Sequence, residues 1–473
     1  MTTTGDRALH RPDTLLDVLH VPLLGDFLRW RWGRLSMQVL TFGLAALIVY
    51  DGLTGPQLAS SNNATLLAWV HYRGFVVVAL LLAGNLFCMG CPFTLPRSLA
   101  HRLSSSGGRW PAALRNKWVS IAGLLTIFFL YEWLDLWASP WLTAWITVAY
   151  FLGAFALEAA FAESPFCKYV CPLGAFNFAY STSSPLQITA RDQEVCRHCE
   201  GKECINGGDD ALGCGTELFV PMLDSNMDCT LCLDCARACP YDNVALATRP
   251  PWRELLDSLP VRWDLAFLIV GLGFLALFNA FGMVPPVYAL QAWMGSSLGI
   301  RSEAVQLASV FLVGGIALPG IVLLGCGWLS RVAGLDLSTV EVAARFAPSF
   351  IPLGFGIWFA HYFFHFAIGA LTIIPVMQSF VLDHGLAFLG SEPRWDIGYL
   401  LPPETVLPIE ASSILIGFFG SLTLLAKQAL QAEERPIRAL GQLLPWAIVL
   451  TALALAALSV FNMPMEMRGA VGA

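Results

Sequence analysis

Charge is scarce in this sequence. Only 13% of its 473 residues are Asp, Glu, Lys or Arg, while 56% are apolar, and the mean hydropathy is +0.63. Soluble domains carry about a quarter charged residues, so an ordinary soluble fold is excluded and a multi-span membrane protein is implied. The charges that remain sum to −7, which argues against a nucleic-acid partner. Several chemical signatures are missing too: there is no Walker-type phosphate loop, no HExxH pair and no CxxCH haem-attachment motif. Residues 1–34 show no cleavable signal peptide. Their Phe27-Leu-Arg-Trp-Arg-Trp-Gly-Arg34 stretch reads instead as an amphipathic segment lying on the cytoplasmic membrane surface.

What is abundant is apolar sequence in runs of membrane-crossing length, about 20 residues for a hydrocarbon core of roughly 30 Å. Such runs lie near 35–53, 66–87, 118–137, 141–162, 263–283, 304–326, 349–376, 409–427 and 441–462. Basic residues flank alternate ends: Arg29, Arg31 and Arg34, then Arg97, Arg102, Arg109, Arg115 and Lys117, then Arg331 and Arg345, then Lys427, Arg435 and Arg438. The intervening loops are almost free of them. The positive-inside rule then predicts a cytoplasmic N-terminus and, with an odd number of spans, an external C-terminus in a bacterial inner membrane.

Thirteen cysteines break the apolar pattern. Cys229-Thr-Leu-Cys232-Leu-Asp-Cys235-Ala-Arg-Ala-Cys239-Pro240 has the spacing C-x2-C-x2-C-x3-C-P of a bacterial ferredoxin run. Thiolates are soft anionic ligands that suit iron–sulfur cages. A zinc site arranges its ligands in two pairs instead. Upstream, Cys196, Cys199, Cys204 and Cys214 supply four more sulfurs, enough for two [4Fe–4S] clusters. In the crossed arrangement of two-cluster ferredoxins, Cys196, Cys199, Cys204 and Cys239 hold one cluster, and Cys214, Cys229, Cys232 and Cys235 the other. One cluster plus four structural or zinc-binding cysteines is the alternative. These residues fall in a hydrophilic stretch, 177–260, expected to be a small cytoplasmic α+β ferredoxin-like domain whose folding leans on its clusters. It divides a four-helix membrane domain (35–176) from a five-helix one (261–473). Each hairpin of the first domain ends in a cysteine pair and a proline: Cys88-Met-Gly-Cys91-Pro92 and Cys167-Lys-Tyr-Val-Cys171-Pro172. Convergence of these four thiols would create a metal site, another cluster or a redox-active disulfide, the plainer reading being that they shape helix ends. Cys326, alone in an apolar run, reads as a core residue.

Two Cys-Pro hairpins followed by a two-cluster segment resemble the membrane-bound polyferredoxins. These are of the nitrous-oxide-reductase regulator, periplasmic nitrate reductase quinol-oxidising subunit and cytochrome-oxidase accessory ferredoxin types. The resemblance covers about residues 35–250 and is carried by Cys88–Pro92, Cys167–Pro172 and Cys229–Pro240. It implies electron transfer between a cytoplasmic donor or quinone pool and a membrane or periplasmic acceptor protein. The chain departs from the pattern in its Cys-x2-Cys first pair and in the five spans added after residue 263.

Polar residues within the spans are the remaining candidates. His361 and His365 sit four apart and share one helical face, as ligands for haem or another metal, as part of a quinone site, or joined in an ordinary interhelical hydrogen bond. His71 and Arg73 read as quinone contacts or as snorkelling side chains, with Glu132 and Asp135 similar. Asp228, Asp234, Glu200 and Glu203 are expected to add negative charge beside the clusters and so lower their potentials. Met463, Met465 and Met467 form a thioether tail of a kind that suits copper. The expected architecture is thus an all-α polytopic membrane protein of about nine transmembrane helices with an inserted two-cluster domain, serving electron transfer rather than acting as a stand-alone enzyme. Copper reduction or handling, and a redox sensor or redox-coupled transporter, are the competing functions.

Overall fold

The computed structural model describes residues 16–96, 108–161, 164–208, 211–256 and 260–464. Arg97, Arg102, Met465 and Met467 lie outside them. The chain is an α-helical integral membrane protein, with eight apolar helical stretches among the described residues long enough to cross a bilayer. The first four spans are formed by α1 (Gly33–Thr54), α2 (Asn63–Leu82), the shorter α3 (Trp118–Trp133) and α4 (Pro140–Ala160). After α5 (Pro172–Ser181) and the cysteine-bearing stretch come α6 (Trp263–Phe281), α7 (Glu303–Val332), α8 (Phe350–Gly369), α9 (Pro403–Ala432) and α10 (Pro436–Phe461). Prolines at the first turns of α4, α5, α9 and α10 start those helices where no intrahelical N–H is needed.

Eight rather than nine long helices result because α3 has only 16 residues. It nevertheless runs between the same two levels as α6. At one end the Lys117 N–H donates to Asp264 Oδ2 at 2.8 Å, and at the other Asn279 Nδ2 donates to Glu132 Oε1 at 3.5 Å. Hydrogen bonding by these end groups lets a short helix span the level of a longer neighbour. The seventh stretch, Thr339–Asp383, is broken on either side of α8 into separate short helices.

α6 is the axis of the bundle, with 89% of its apolar window buried by protein. Trp358 of α8 donates its indole N–H to the Leu272 carbonyl at 3.0 Å. By contrast α1 and α4 turn Leu40, Phe42, Trp145 and Leu152 outward, as helices bordered by lipid should. α8 and α9 pack backbone to backbone. A Cβ on Gly417 would fall 2.4 Å from the Pro352 carbonyl oxygen, and one on Gly356 2.5 Å from that of Ser413.

The cysteine-bearing stretch is bracketed by β1 (Leu186–Ala190) and β2 (Val244–Thr248), paired antiparallel with Leu186 opposite Thr248 and Ala190 opposite Val244. The segment before α1 reinforces this sheet. Leu16 accepts from the Thr248 N–H at 2.9 Å, and Asp17 accepts from the Leu246 N–H at 3.2 Å and from Arg191 Nη2 at 2.8 Å. The expected interfacial segment contains a six-residue helix, Leu24–Arg29, followed by exposed Trp30 and Trp32.

Candidate metal and redox centres

The ferredoxin-like run folds without glycine. Asp228, Leu231, Leu233 and Asp242 all take left-handed backbone angles, with φ between 46° and 67°. Such conformations cost of order 1–3 kcal/mol each and persist only where the surroundings impose them. Here they coil the chain so that alternate side chains diverge. Leu231 and Leu233 enter the core, while Cys229, Cys232 and Cys235 turn toward one another.

Cys196, Cys199, Cys204 and Cys239 line one cavity, closed by Phe219, Val220 and Tyr241. Asn243 ties two of them across 43 residues of chain or more: its side-chain amide donates to Cys196 Sγ at 3.2 Å and its backbone N–H to Cys239 Sγ at 3.4 Å. Cys199 Sγ faces Glu203 Oε2 at 3.2 Å. The second set, Cys214, Cys229, Cys232 and Cys235, lies within mutual electrostatic range. The two sets adjoin through the Cys214 N–H, which donates to the Cys204 carbonyl at 3.1 Å.

A third set gathers at the membrane edge. Cys91 is in electrostatic range of Cys88 and Cys171, and Cys167 of all three. Asn177, 1% exposed, donates to Cys88 Sγ at 3.4 Å, and the Gly174 N–H donates to Cys171 Sγ at 3.2 Å. Burial pushes the Cys88 thiol up to about 11 against the opposing Asn177 and Asn85 amides. It pushes Cys171 up to about 12 against the Gly174 N–H. Any metal bound here must therefore displace protons. Among the described residues, no three of His, Cys, Asp and Glu are gathered as a single metal ion requires.

Two of the four carboxylates expected to add negative charge there, Asp234 and Asp228, are paired with cations. Asp234 pairs with Arg34 Nη1 at 2.6 Å and with Arg237, and Asp228 pairs with Lys117. Burial alone would raise the Asp234 carboxyl, but the two guanidinium groups outweigh it and hold it below the usual range. The lowering of potential expected from these two carboxylates thus loses its basis, because each has a cation against it. Sequence reasoning missed the roles of Arg34, Lys117, Asn85, Asn177 and Asn243. For Asn85, Asn177 and Asn243 the available signal was an amide within a few residues of a cysteine, which composition does not distinguish from a surface residue; for Arg34 and Lys117 no local signal existed.

His361 and His365 do share a face of α8, with ring centroids 5.2 Å apart. His361 is fully buried, and neither of its nitrogens, nor His365 Nε2, has a protein hydrogen-bond partner among the described residues. The interhelical hydrogen bond offered as the plain alternative is therefore not formed. Arg73 does not snorkel: it is 5% exposed and lies over Trp69, Tyr131 and Tyr362 at 4.8, 4.2 and 5.0 Å. His71 is held between the Leu66 and Ala370 carbonyls, both at 3.0 Å. Cys326 is buried in the core as expected.

No family profile matches the chain, and no solved structure matches it. The ferredoxin-type protein NapH of Escherichia coli (strain K12) is 24% identical over 254 residues, which cover 48% of this chain and 86% of that protein. Over about half its length, then, this integral membrane protein is similar to a ferredoxin-type protein.

Proposed function

We propose that the chain is a membrane-bound iron–sulfur electron-transfer protein whose residues 177–260 form a two-cluster ferredoxin-like domain on the cytoplasmic face. Cys196, Cys199, Cys204 and Cys239 hold one [4Fe–4S] cluster; Cys214, Cys229, Cys232 and Cys235 hold the other. The observation that carries this reading is the Asn243 tie, which brings the last cysteine of the run to the upstream group instead of to its own neighbours. Crossed ligation in a two-cluster ferredoxin requires an approach of this kind. The similarity to a ferredoxin-type protein supports it.

When bound, the clusters supply one-electron oxidation and reduction. The chain's own contribution is ligation, burial and hydrogen bonding to sulfur, the features that set a cluster's potential. Donors such as Asn243 stabilise the more negative reduced state and raise the potential. Electrons enter from a cytoplasmic donor or the quinone pool and leave to a membrane or periplasmic acceptor.

The test is an iron and acid-labile sulfide determination on anaerobically purified protein, repeated on single variants. Cys196→Ser and Cys232→Ser should each remove about four irons, one cluster's worth. A folded wild-type protein that is colourless and free of iron would overturn the proposal.

A further inference from the structure

Cys88, Cys91, Cys167 and Cys171 come from the ends of two separate hairpins, yet the packing brings them together beside α5. We propose that these four residues are a third iron–sulfur site, holding a [4Fe–4S] cluster between the Cys214, Cys229, Cys232 and Cys235 set and the membrane helices. The inference rests on the two-cluster reading above and extends it into the first membrane domain.

Three observations select a cluster over the other occupants of four thiols. First, all four cysteines are free, so the set is not closed into disulfides. Second, a single tetrahedral ion bound at about 2.3 Å would draw the sulfurs to roughly 3.8 Å from one another. No such gathering occurs among the described residues. Sulfurs within electrostatic range of one another are also what the two ferredoxin-like sets present. Third, the local structure repeats that of the ferredoxin run. Cys171-Pro172 ends a five-residue helical turn, Phe166–Val170, as Cys239-Pro240 ends Asp234–Ala238, whereas Cys91-Pro92 begins one, Pro92–Thr94. The proline offers no N–H, and the sulfur accepts from a residue further on: Gly174 for Cys171 and Asn243 for Cys239. Gly174 is also required sterically, since a Cβ there would lie 2.8 Å from the Cys167 carbonyl oxygen and would push the pair apart.

The surroundings are built to join this set to its neighbour. Arg34 donates through Nε to the Met89 carbonyl at 3.3 Å, between Cys88 and Cys91. Its Nη1 donates to Asp234 at 2.6 Å, between Cys232 and Cys235. Asn85 donates to the Cys229 carbonyl at 3.0 Å. Lys117 holds the Lys168 carbonyl, beside Cys167, at 2.5 Å and also pairs with Asp228, beside Cys229. Lys168 in turn donates to the Thr216 carbonyl, two residues from Cys214, at 2.6 Å. These bridges reach every segment of both sets. Helix ends that merely needed shaping would not require them.

The experiment is a count of iron, acid-labile sulfide and zinc in the full-length protein, purified without oxygen in detergent. About twelve irons and twelve sulfides per chain are expected, three cubes of four. A Cys88→Ser/Cys171→Ser variant should fall to about eight irons and keep the electron paramagnetic resonance signals of the other two clusters. If the wild type holds about eight irons, lost in fours by Cys196→Ser and Cys232→Ser, the two-cluster reading stands and the third site is overturned, whether or not zinc accompanies them. If it holds none, both fall. Should the double variant fail to fold, Asn177→Leu decides the matter. Loss of its N–H···S bond to Cys88 should shift one of three midpoint potentials to more negative values and leave two in place. Three unmoved potentials would overturn the assignment of Cys88.

Discussion

A single buried cation shows what the residue scale adds. Lys117 has no exposed surface, and its ammonium group meets Asp228, the Lys168 carbonyl and the face of Phe178. Removing one partner of a buried ion pair strands the other charge, at about 3–5 kcal/mol, whereas replacing both can be nearly neutral. Lys117→Met should therefore lower the thermal midpoint of the detergent-solubilised protein substantially. Lys117→Met/Asp228→Asn should recover more than half of that loss. Equal midpoints for the two variants would show that the pair is not what stabilises this junction. In the sequence Lys117 is indistinguishable from Arg109 or Arg115, one more basic residue before a span. Its partner lies 111 positions away, so nothing local reports the pairing. The gathering of Cys229, Cys232 and Cys235 was legible for the opposite reason: they lie within seven residues of one another, and local chain geometry turns them together.

At the scale of elements, apolar length was the readable quantity and close approach was not. The nine apolar stretches appear as helices near their expected places, because a segment in lipid must satisfy its own backbone groups. Which helices touch depends on glycines whose neighbours come from other elements. α8 and α9 meet at Gly356 and Gly417, where added methyl groups would collide with backbone rather than with movable side chains. Overpacking of that kind costs about 1–3 kcal/mol. Gly417→Ala should thus lower the thermal midpoint, while Gly153→Ala on the open flank of α4, with nothing within 4 Å of the new methyl, should leave it unchanged or raise it slightly through helix propensity. Similar losses in the two variants would remove the steric argument. The Cys-Pro pairs belong to this scale too. Each pair was visible as a motif, but their meeting depends on how two hairpins pack against α5, which periodicity does not encode.

At the scale of the whole molecule, contacts between distant elements sort the chain ends of the helices into two levels. Arg34 at the start of α1, Lys117 before α3 and Gln428 near the end of α9 meet the cysteine-bearing stretch or its flanks, the last by donating to Leu255 at 2.9 Å, and Asp264 at the start of α6 joins this level by accepting from the Lys117 N–H. Tyr50 near the end of α1 meets His384 beyond α8 at 2.8 Å on the opposite level. With α3 counted as a traverse, the described helices alternate between levels nine times and α10 ends opposite the cysteines. The proposed cytoplasmic placement of the cysteine-bearing level is the one that puts its excess of Lys and Arg on the side the positive-inside rule requires. Met222 is 76% exposed beside the cysteine sets, and Ser391 is exposed in the loop between α8 and α9. In sealed right-side-out vesicles, a membrane-impermeant maleimide should label Ser391→Cys at once and Met222→Cys only after permeabilisation. The reverse order would invert the protein in the membrane and place its proposed clusters where an oxidising compartment would work against their thiolate ligands.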